Sequence, residues 1–229
     1  MVEHIQETVA QSPNDHGGGG SLCVGDLKTL RELAGHLVMG AGGPSGIGQA
    51  GIGPGRAFVQ VQHGCDNACS FCALPSESGP GRSVPIVQIV KQVQALVEDG
   101  QLEVVLVAPN VAGYGADIGL CADNTSGLTQ LMRAILDHVP GLLRLRLGAL
   151  DPMRLDQGFF DLLATEARVM GHLHLSLQAA DDSVLKAMNR RHTVADIQAL
   201  LADARNARPD VVFGADLIAG FPSETDVMF

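Results

Sequence analysis

The chain has 229 residues, of which 46% are hydrophobic, enough for one large folded domain with a substantial core. Twenty-five acidic residues against fifteen basic ones give a net charge of -10, which excludes a protein that holds nucleic acid through its overall field. The N-terminus lacks a basic region followed by an apolar stretch, and the longest apolar run is five residues, so we expect neither a signal peptide nor a membrane partner.

Residues 1–55 are predicted to form a poorly ordered, glycine-rich linker or remnant. Glycine occupies positions 17–20 and recurs at nearly every second or third position between 40 and 55. Such a composition buries too little apolar surface to offset the entropy of ordering. One helix is expected at 27–37, where leucines share one face and Asp26 provides a cap. Cys23 stands alone and is interpreted as an incidental thiol.

From residue 57 onward, apolar runs predict strands and helices in alternation. The predicted strands cover residues 57–62, 104–108, 143–148, 172–177 and 211–218. The predicted helices cover residues 84–99, 128–138, 156–168, 183–188 and 193–207, with Thr193 and Asp196 resembling a capping box. Strands separated by helices pair in parallel through right-handed crossovers, so residues 56–229 are predicted to be an α/β fold, a partial (βα) barrel.

Three cysteines, Cys65, Cys69 and Cys72, follow the first predicted strand. They lie on the loop at the C-terminal end of that strand, where barrels of this kind gather their chemistry. Three thiolates cannot fill a closed structural zinc site, but they can hold three irons of a four-iron, four-sulfur cluster and leave the fourth iron open. The alternatives are a redox pair of Cys69 and Cys72, a zinc site completed by His63, and packed free thiols. This clustering of thiols favours a reducing cytoplasm over a disulfide scaffold.

Polar or glycine residues also follow the other four predicted strands: Asn110, Asp151, Gln178 and Gly220. The C-terminal ends of parallel strands meet at one edge of a barrel. We therefore expect these residues to line the same mouth as the cysteine loop. For Gln178 the alternative is a barrel residue that is simply hydrogen-bonded.

The chain also resembles a known family in four segments: Phe58-Val-Gln-Val-Gln-His-Gly-Cys65, Leu173-His-Leu-Ser-Leu-Gln178, Met188-Asn-Arg-Arg-His192 and Asp216-Leu-Ile-Ala-Gly-Phe-Pro-Ser-Glu-Thr225. The spacing Cys-x3-Cys-x-aromatic-Cys, here with Phe71, is typical of radical S-adenosylmethionine (SAM) enzymes. With these segments, residues 56–229 resemble the radical SAM methylthiotransferases. The variants at Ser176 and Asn189 are most similar to the branch that acts on threonylcarbamoyladenosine in tRNA. Other branches act on isopentenyladenosine in tRNA or on an aspartate of a ribosomal protein.

The resemblance implies that Cys65, Cys69 and Cys72 hold a [4Fe-4S] cluster whose open iron binds SAM. One-electron cleavage of SAM then gives a 5′-deoxyadenosyl radical, which abstracts hydrogen from the substrate carbon that receives the methylthio group. The residues implied to contact SAM are Phe71, Asn110, Gln178, Arg190, Gly220, Phe221 and Pro222. For Arg190 and Arg191 the alternative is a solvated helix end. The implied partners are tRNA and an electron donor such as flavodoxin or ferredoxin.

The sequence departs from the family pattern in several places. Members carry an N-terminal domain with three further cysteines for a second cluster, whereas residues 1–55 contain only Cys23. A sixth barrel unit and a C-terminal RNA-binding domain are also expected in members, so we expect this chain to be truncated at both ends. A glycine-containing turn that receives the methionine amino group is replaced by Ala108-Pro-Asn110, and one of two arginines after the cluster motif is lost, leaving Arg82.

These departures keep two alternatives to methylthiolation open: a protein limited to SAM cleavage, and a non-catalytic iron–sulfur protein. We expect tRNA binding to be weak and salt-dependent, because the net charge is negative. The predicted tRNA contact is a basic patch made of Lys186, Arg190, Arg191 and His192.

Overall fold

The computed structural model describes residues 56–120 and 125–229. The predictions for the glycine-rich segment, including the helix at 27–37 and the isolated Cys23, lie outside the described residues, as does Cys121. Within the described part of the chain, no helix combines the length and the apolar character needed to cross a bilayer.

Strands and helices alternate along the described chain. The strands are β1 (Arg56–Gln60), β2 (Gln62–His63), β3 (Arg82–Ser83), β4 (Glu103–Val107), β5 (Arg144–Leu147), β6 (His172–Gln178) and β7 (Val212–Leu217). The helices are α1 (Leu74–Ser78), α2 (Ile86–Glu98), α3 (Gly127–His138), α4 (Gln157–Thr165), α5 (Asp182–Ala187) and α6 (Val194–Ala207). Short 3-10 turns follow β4 and β5, at Val111–Gly113 and Pro152–Arg154.

The five longer strands follow one another in chain order. Strands β1, β4 and β5 form a parallel sheet in that order, and β6 pairs in parallel with β7. Leu150 joins the two parts, because its N–H donates to His174 at 2.8 Å and its carbonyl accepts from Ser176 at 2.9 Å. Parallel neighbours joined by helices are the product of successive right-handed crossovers. The predicted α/β fold with parallel strands is confirmed.

The core lies between one face of these strands and the helices. Ala57 and Val59 of β1 are fully buried, whereas Phe58 between them is 39% exposed on the opposite face. Helices α2 and α3 contribute apolar stripes at helical spacing to this core: Ile89, Val93, Leu96, Leu128, Leu131, Met132 and Ile135. On β1 only one face is buried in this core, whereas β4 is buried on both faces from Glu103 to Leu106.

The helix ends show where local sequence decides the boundary and where packing does. The capping box of α6 is confirmed, since the Thr193 side chain accepts from the Asp196 N–H and the Asp196 carboxylate accepts from the Thr193 N–H. Helix α4 was predicted to reach residue 168 but ends at Thr165. Arg168 instead pairs with Glu166 at 2.8 Å and donates to the Leu136 carbonyl at the end of α3.

Candidate cluster and cofactor site

The cysteine loop begins at Gly64, in a position that strongly favours glycine. Its φ is 72°, and a β-carbon there would lie 2.1 Å from the carbonyl oxygen of Pro80. The next residue, Cys65, donates its N–H to the Gly79 carbonyl at 3.1 Å. The loop therefore leaves the C-terminal end of the β1–β2 segment with its backbone pressed against residues 79–80.

The three thiols differ in exposure and in their hydrogen-bond partners. Cys65 and Cys69 are half-buried, and Cys72 is exposed. The Asn67 N–H donates to the Cys65 sulfur at 3.4 Å, and an Arg190 Nη1–H donates to the Cys69 sulfur at 3.5 Å. Burial raises the pKa of the Cys65 thiol, against the opposing effect of the Asn67 N–H, and nearby negative charge raises it further. A cationic centre bound here would favour the thiolate and so oppose the rise in the pKa of Cys65.

One cavity brings these thiols together with residues from the ends of several strands. It encloses about 530 Å³ of empty space, including its opening to solvent. Its lining contains Cys65, Asn67, Cys69, Phe71, Cys72, Pro109, Asn110, Ala149, Asp151, Ser176, Gln178 and Arg190. The sequence did not predict Asn67 or Ser176 as residues of the cavity. Both had a signal, since Asn67 lies inside the cysteine motif and Ser176 lies two residues before Gln178 on the same strand.

The remaining predicted residues, Gly220, Phe221 and Pro222, do not belong to the lining of this cavity. The N–H groups of Gly220 and Phe221 both donate to one carboxylate oxygen of Glu224, at 2.6 and 3.1 Å. These two N–H groups are therefore already engaged within the turn, and the Phe221 carbonyl accepts the Glu224 N–H at 2.8 Å, which leaves the carbonyl groups of Gly220 and Pro222 for a ligand.

Two cavity residues, Asn110 and Gln178, carry signs of a site built for a ligand. The Asn110 side chain is buried, and its Oδ1 has no hydrogen-bond partner. Gln178 ends β6 with a φ of 73°, next to an irregularity in the pairing of β6 with β7. Unsatisfied buried acceptors and left-handed non-glycine residues each cost free energy and cluster at functional sites.

Arg190 is buried at the cavity wall, so its interpretation as a solvated helix end is wrong. Its side chain is 6% exposed and lies 3.3 Å from the Asp151 carboxylate, which is 9% exposed. One Nη2–H donates to the Ser176 carbonyl at 2.6 Å. Its neighbour His192 is also buried, at 2% exposure, so of the predicted basic patch only Lys186 and Arg191 are exposed. Burial, followed by the Arg190 charge, lowers the pKa of His192.

The donor set fits an iron–sulfur cluster better than a single metal ion. Among the residues that the structure describes, no three His, Cys, Asp or Glu side chains converge on one ion, as a zinc site completed by His63 requires. Cluster cysteines bind separate irons and need no such convergence. Unpartnered buried atoms also remain beside the thiols for SAM: Asn67 Oδ1, Asn110 Oδ1 and Arg190 Nε.

A family comparison decides the assignment. The family described as the radical SAM superfamily matches residues 59–229. The chain belongs to the radical SAM superfamily. This superfamily uses SAM and a [4Fe-4S] cluster, so the two cofactors implied by the family resemblance are confirmed.

Among relatives of this radical SAM chain, a threonylcarbamoyladenosine tRNA methylthiotransferase, MtaB of Rickettsia prowazekii, is 41% identical over 208 residues. That match covers 91% of this chain and 46% of the relative. The tRNA-2-methylthio-N(6)-dimethylallyladenosine synthase of Maricaulis maris is 40% identical over 175 residues, which cover 76% of this chain and 38% of the relative. The chain therefore spans less than half the length of these relatives. The first match is longer than residues 56–229 and so reaches into the N-terminal segment.

A solved radical SAM structure supports the fold. The structure of the methyltransferase TsrM from Kitasatospora setae, with cobalamin and a [4Fe-4S] cluster bound, matches with a TM-score of 0.58 at 19% identity. The match covers 75% of this chain and 32% of TsrM. The partial (βα) barrel predicted for residues 56–229 is thus of the radical SAM type.

Proposed function

We propose that this chain is the radical SAM part of a tRNA methylthiotransferase that acts on threonylcarbamoyladenosine. The main support is that one cavity contains the three thiols together with Asn110, Gln178 and Arg190 in its lining. The nucleoside is supported by the match to MtaB, which covers more of this chain than the match to the dimethylallyladenosine synthase. We assign the cytoplasm as its location, since both relatives are named for the modification of tRNA.

In this proposal Cys65, Cys69 and Cys72 hold the [4Fe-4S] cluster as thiolates. When bound, the cluster and SAM supply one-electron cleavage and hydrogen abstraction. The protein contributes position and the exclusion of water. Cys72, as the exposed thiol, marks the side from which an electron donor such as flavodoxin or ferredoxin approaches.

The cavity residues would bind SAM through the groups that the protein leaves unpartnered. Asn110 Oδ1 would accept a hydrogen bond from the amino group of SAM, and Arg190 Nε would donate to its carboxylate. Phe71, which is 39% exposed at the cavity, offers its ring to the adenine. Gln178 supplies an amide for the ribose or methionine part. Contacts of the adenine to the turn at Gly220, Phe221 and Pro222 would use carbonyl groups, because Glu224 engages the first two N–H groups.

Deuterium transfer tests this function without requiring the complete methylthiolation reaction. The reconstituted chain is mixed with SAM, dithionite and tRNA that carries deuterium at carbon 2 of either threonylcarbamoyladenosine or dimethylallyladenosine. Mass spectrometry then measures deuterium in the released 5′-deoxyadenosine. The proposal predicts transfer from the first tRNA and not from the second.

Each other outcome points to a different function. Transfer from dimethylallyladenosine alone would contradict the assigned nucleoside. Release of unlabelled 5′-deoxyadenosine with both tRNAs would indicate a protein limited to SAM cleavage. No release from a chain that holds its cluster would indicate a non-catalytic iron–sulfur protein.

A further inference from the structure

Asp151 links three separate segments of the chain at the wall of the cavity. Its Oδ1 accepts the Met153 N–H at 3.1 Å, in the turn that follows β5. Its Oδ2 accepts a side-chain N–H of Asn67 at 3.2 Å, inside the cysteine loop, and lies 3.3 Å from Nη2 of Arg190. A carboxylate that is 9% exposed needs such partners to offset its loss of hydration.

Arg190 completes the link on the other side of the cysteine loop. Its Nη2 is fixed by the Ser176 carbonyl at 2.6 Å, and its Nη1 reaches the Cys69 sulfur at 3.5 Å. The guanidinium therefore contacts the end of β6 at Ser176, the buried carboxylate of Asp151 and the sulfur of Cys69, a proposed cluster ligand. Of its nitrogen atoms, Nε alone has no partner within the described structure.

We propose that Asp151 and Arg190 form a charge-balanced clamp that holds the cysteine loop and sets the reduction potential of the cluster bound there. This inference rests on the cluster site of the proposed function and goes beyond contact with SAM. In the clamp Asp151 is a positioning residue that acts through Asn67 and Arg190. Arg190, whose Nε faces SAM in the proposed function, acts on the sulfur of Cys69 through Nη1. Hydrogen bonds to cluster sulfurs and nearby charge are known determinants of cluster potential.

The clamp predicts that neutralising Asp151 and neutralising Arg190 shift the cluster potential in opposite directions. Reduction adds negative charge to the cluster, so a nearby positive charge raises its potential and a nearby negative charge lowers it. Asp151→Asn leaves the Arg190 charge unbalanced and should raise the potential. Arg190→Gln leaves the Asp151 charge unbalanced and should lower it. The double variant should lie between the two, close to the wild-type value.

A matched control comes from Asp156, another partly buried carboxylate that accepts several hydrogen bonds. It caps α4 through the Phe159 N–H at 2.8 Å and accepts from Thr129 at 2.6 Å, with no part in the cavity lining. Asp156→Asn should destabilise the fold without moving the cluster potential. It thus separates the clamp from a general loss of stability.

The test is an anaerobic redox titration of the reconstituted chain, followed by electron paramagnetic resonance, without SAM or tRNA. Shifts of opposite sign in Asp151→Asn and Arg190→Gln, with none in Asp156→Asn, are expected. Shifts of the same sign, or no shift in either variant, would overturn the clamp. Because no substrate is present, this result is independent of whether methylthiolation occurs.

Hydrogen exchange of the cluster-free chain tests the holding role by itself. We expect Asp151→Asn to speed deuterium uptake in the peptide 65–72 by about tenfold or more, because its link to Asn67 is weakened. Asp156→Asn should leave that peptide unchanged. Equal deuterium uptake of the peptide 65–72 in Asp151→Asn and wild type would contradict the clamp. This result does not depend on whether the variants can bind a cluster.

Discussion

The side-chain amide of Asn189 donates to the carbonyl of Ala68 at 2.7 Å, across 121 residues of sequence. Two further bonds run beside it, from the Ser70 N–H to the Met188 carbonyl at 3.0 Å and from the Ser70 hydroxyl to the Ala187 carbonyl at 2.9 Å. The C-terminal end of α5 and the residues after it thus hold the middle of the cysteine loop, at residues 68–70. The Met-Asn-Arg-Arg-His segment, which carried part of the family resemblance, has a structural role in this contact.

Replacing Asn189 should lower the free energy of unfolding, by an amount that depends on the new residue. Its φ of 58° is tolerated by asparagine and glycine better than by alanine. Asn189→Ala loses both the hydrogen bond and the favourable conformation, so we expect a loss of about 1–2 kcal/mol in the free energy of unfolding. Asn189→Gly loses only the hydrogen bond and should cost less. Urea unfolding measures both, and a glycine variant less stable than the alanine variant would contradict this account.

Gly64 should be the most sensitive glycine of the cysteine loop. Gly64→Ala combines a left-handed backbone with a β-carbon 2.1 Å from the Pro80 carbonyl oxygen. Gly100 is the matched control, because its φ is 88° and no atom lies within 4 Å of a β-carbon there. We expect about 1 kcal/mol for Gly100→Ala and about 3 kcal/mol or more for Gly64→Ala. Equal losses in the two variants by urea unfolding would show that the contact with Pro80 is not limiting.

Glu103 should make the stability of the sheet depend on acid pH. Burial alone would raise the pKa of Glu103, but hydrogen bonds and charge from arginines outweigh it and lower that pKa. The ion pairs run to Arg56, Arg144 and Arg146, at 2.6, 2.8 and 3.0 Å. A carboxyl whose pKa is lower in the folded state stabilises the fold above its unfolded pKa. That stabilisation is lost as the pH falls through the folded pKa.

The measurement is the free energy of unfolding at about pH 6 and at about pH 3. Wild type should lose more stability over this interval than Glu103→Gln, which has no carboxylate to protonate there. The exposed Glu98 provides a control, and Glu98→Gln should follow the wild-type profile. A Glu103→Gln variant with the full acid loss would show that the arginine pairs do not contribute.

Binding of tRNA to this chain should be weak and should involve only the exposed part of the predicted basic patch. Lys186 and Arg191 are exposed, and the net charge is -10. The double change of Lys186 and Arg191 to alanine should flatten the dependence of log affinity on log salt by about one to two. Lys91→Ala, on the exposed side of α2, is the control and should leave the slope unchanged. A steep slope that survives the double change would place the contact elsewhere.

The sequence was sufficient for the parallel strands, because β4 carries a continuous apolar run and β1, β5 and β6 alternate apolar with polar residues, and both patterns are visible without context. Packing decided what the sequence could not predict. Arg168 looked like part of a helix, but Glu166 and the carbonyl of Leu136 provide partners only once α3 and α4 meet. Strands β2 and β3 have two residues each, too few to show any periodicity.

In the candidate site, too, local features could be predicted from the sequence and long-range contacts could not. The spacing of Cys65, Cys69 and Cys72 is a local feature, and so it could be read from the sequence. The burial of Arg190 beside Asp151 could not, since it depends on a turn after β5 meeting the segment after α5.

The iron content after anaerobic reconstitution tests whether the three cysteines of the loop hold the cluster. We expect about four irons per chain in wild type and loss of the brown absorbance in Cys65→Ala, Cys69→Ala or Cys72→Ala. Cys23→Ala and Cys121→Ala are the matched controls and should keep their iron. Full iron content in Cys69→Ala would contradict the assignment of the cavity as the cluster site.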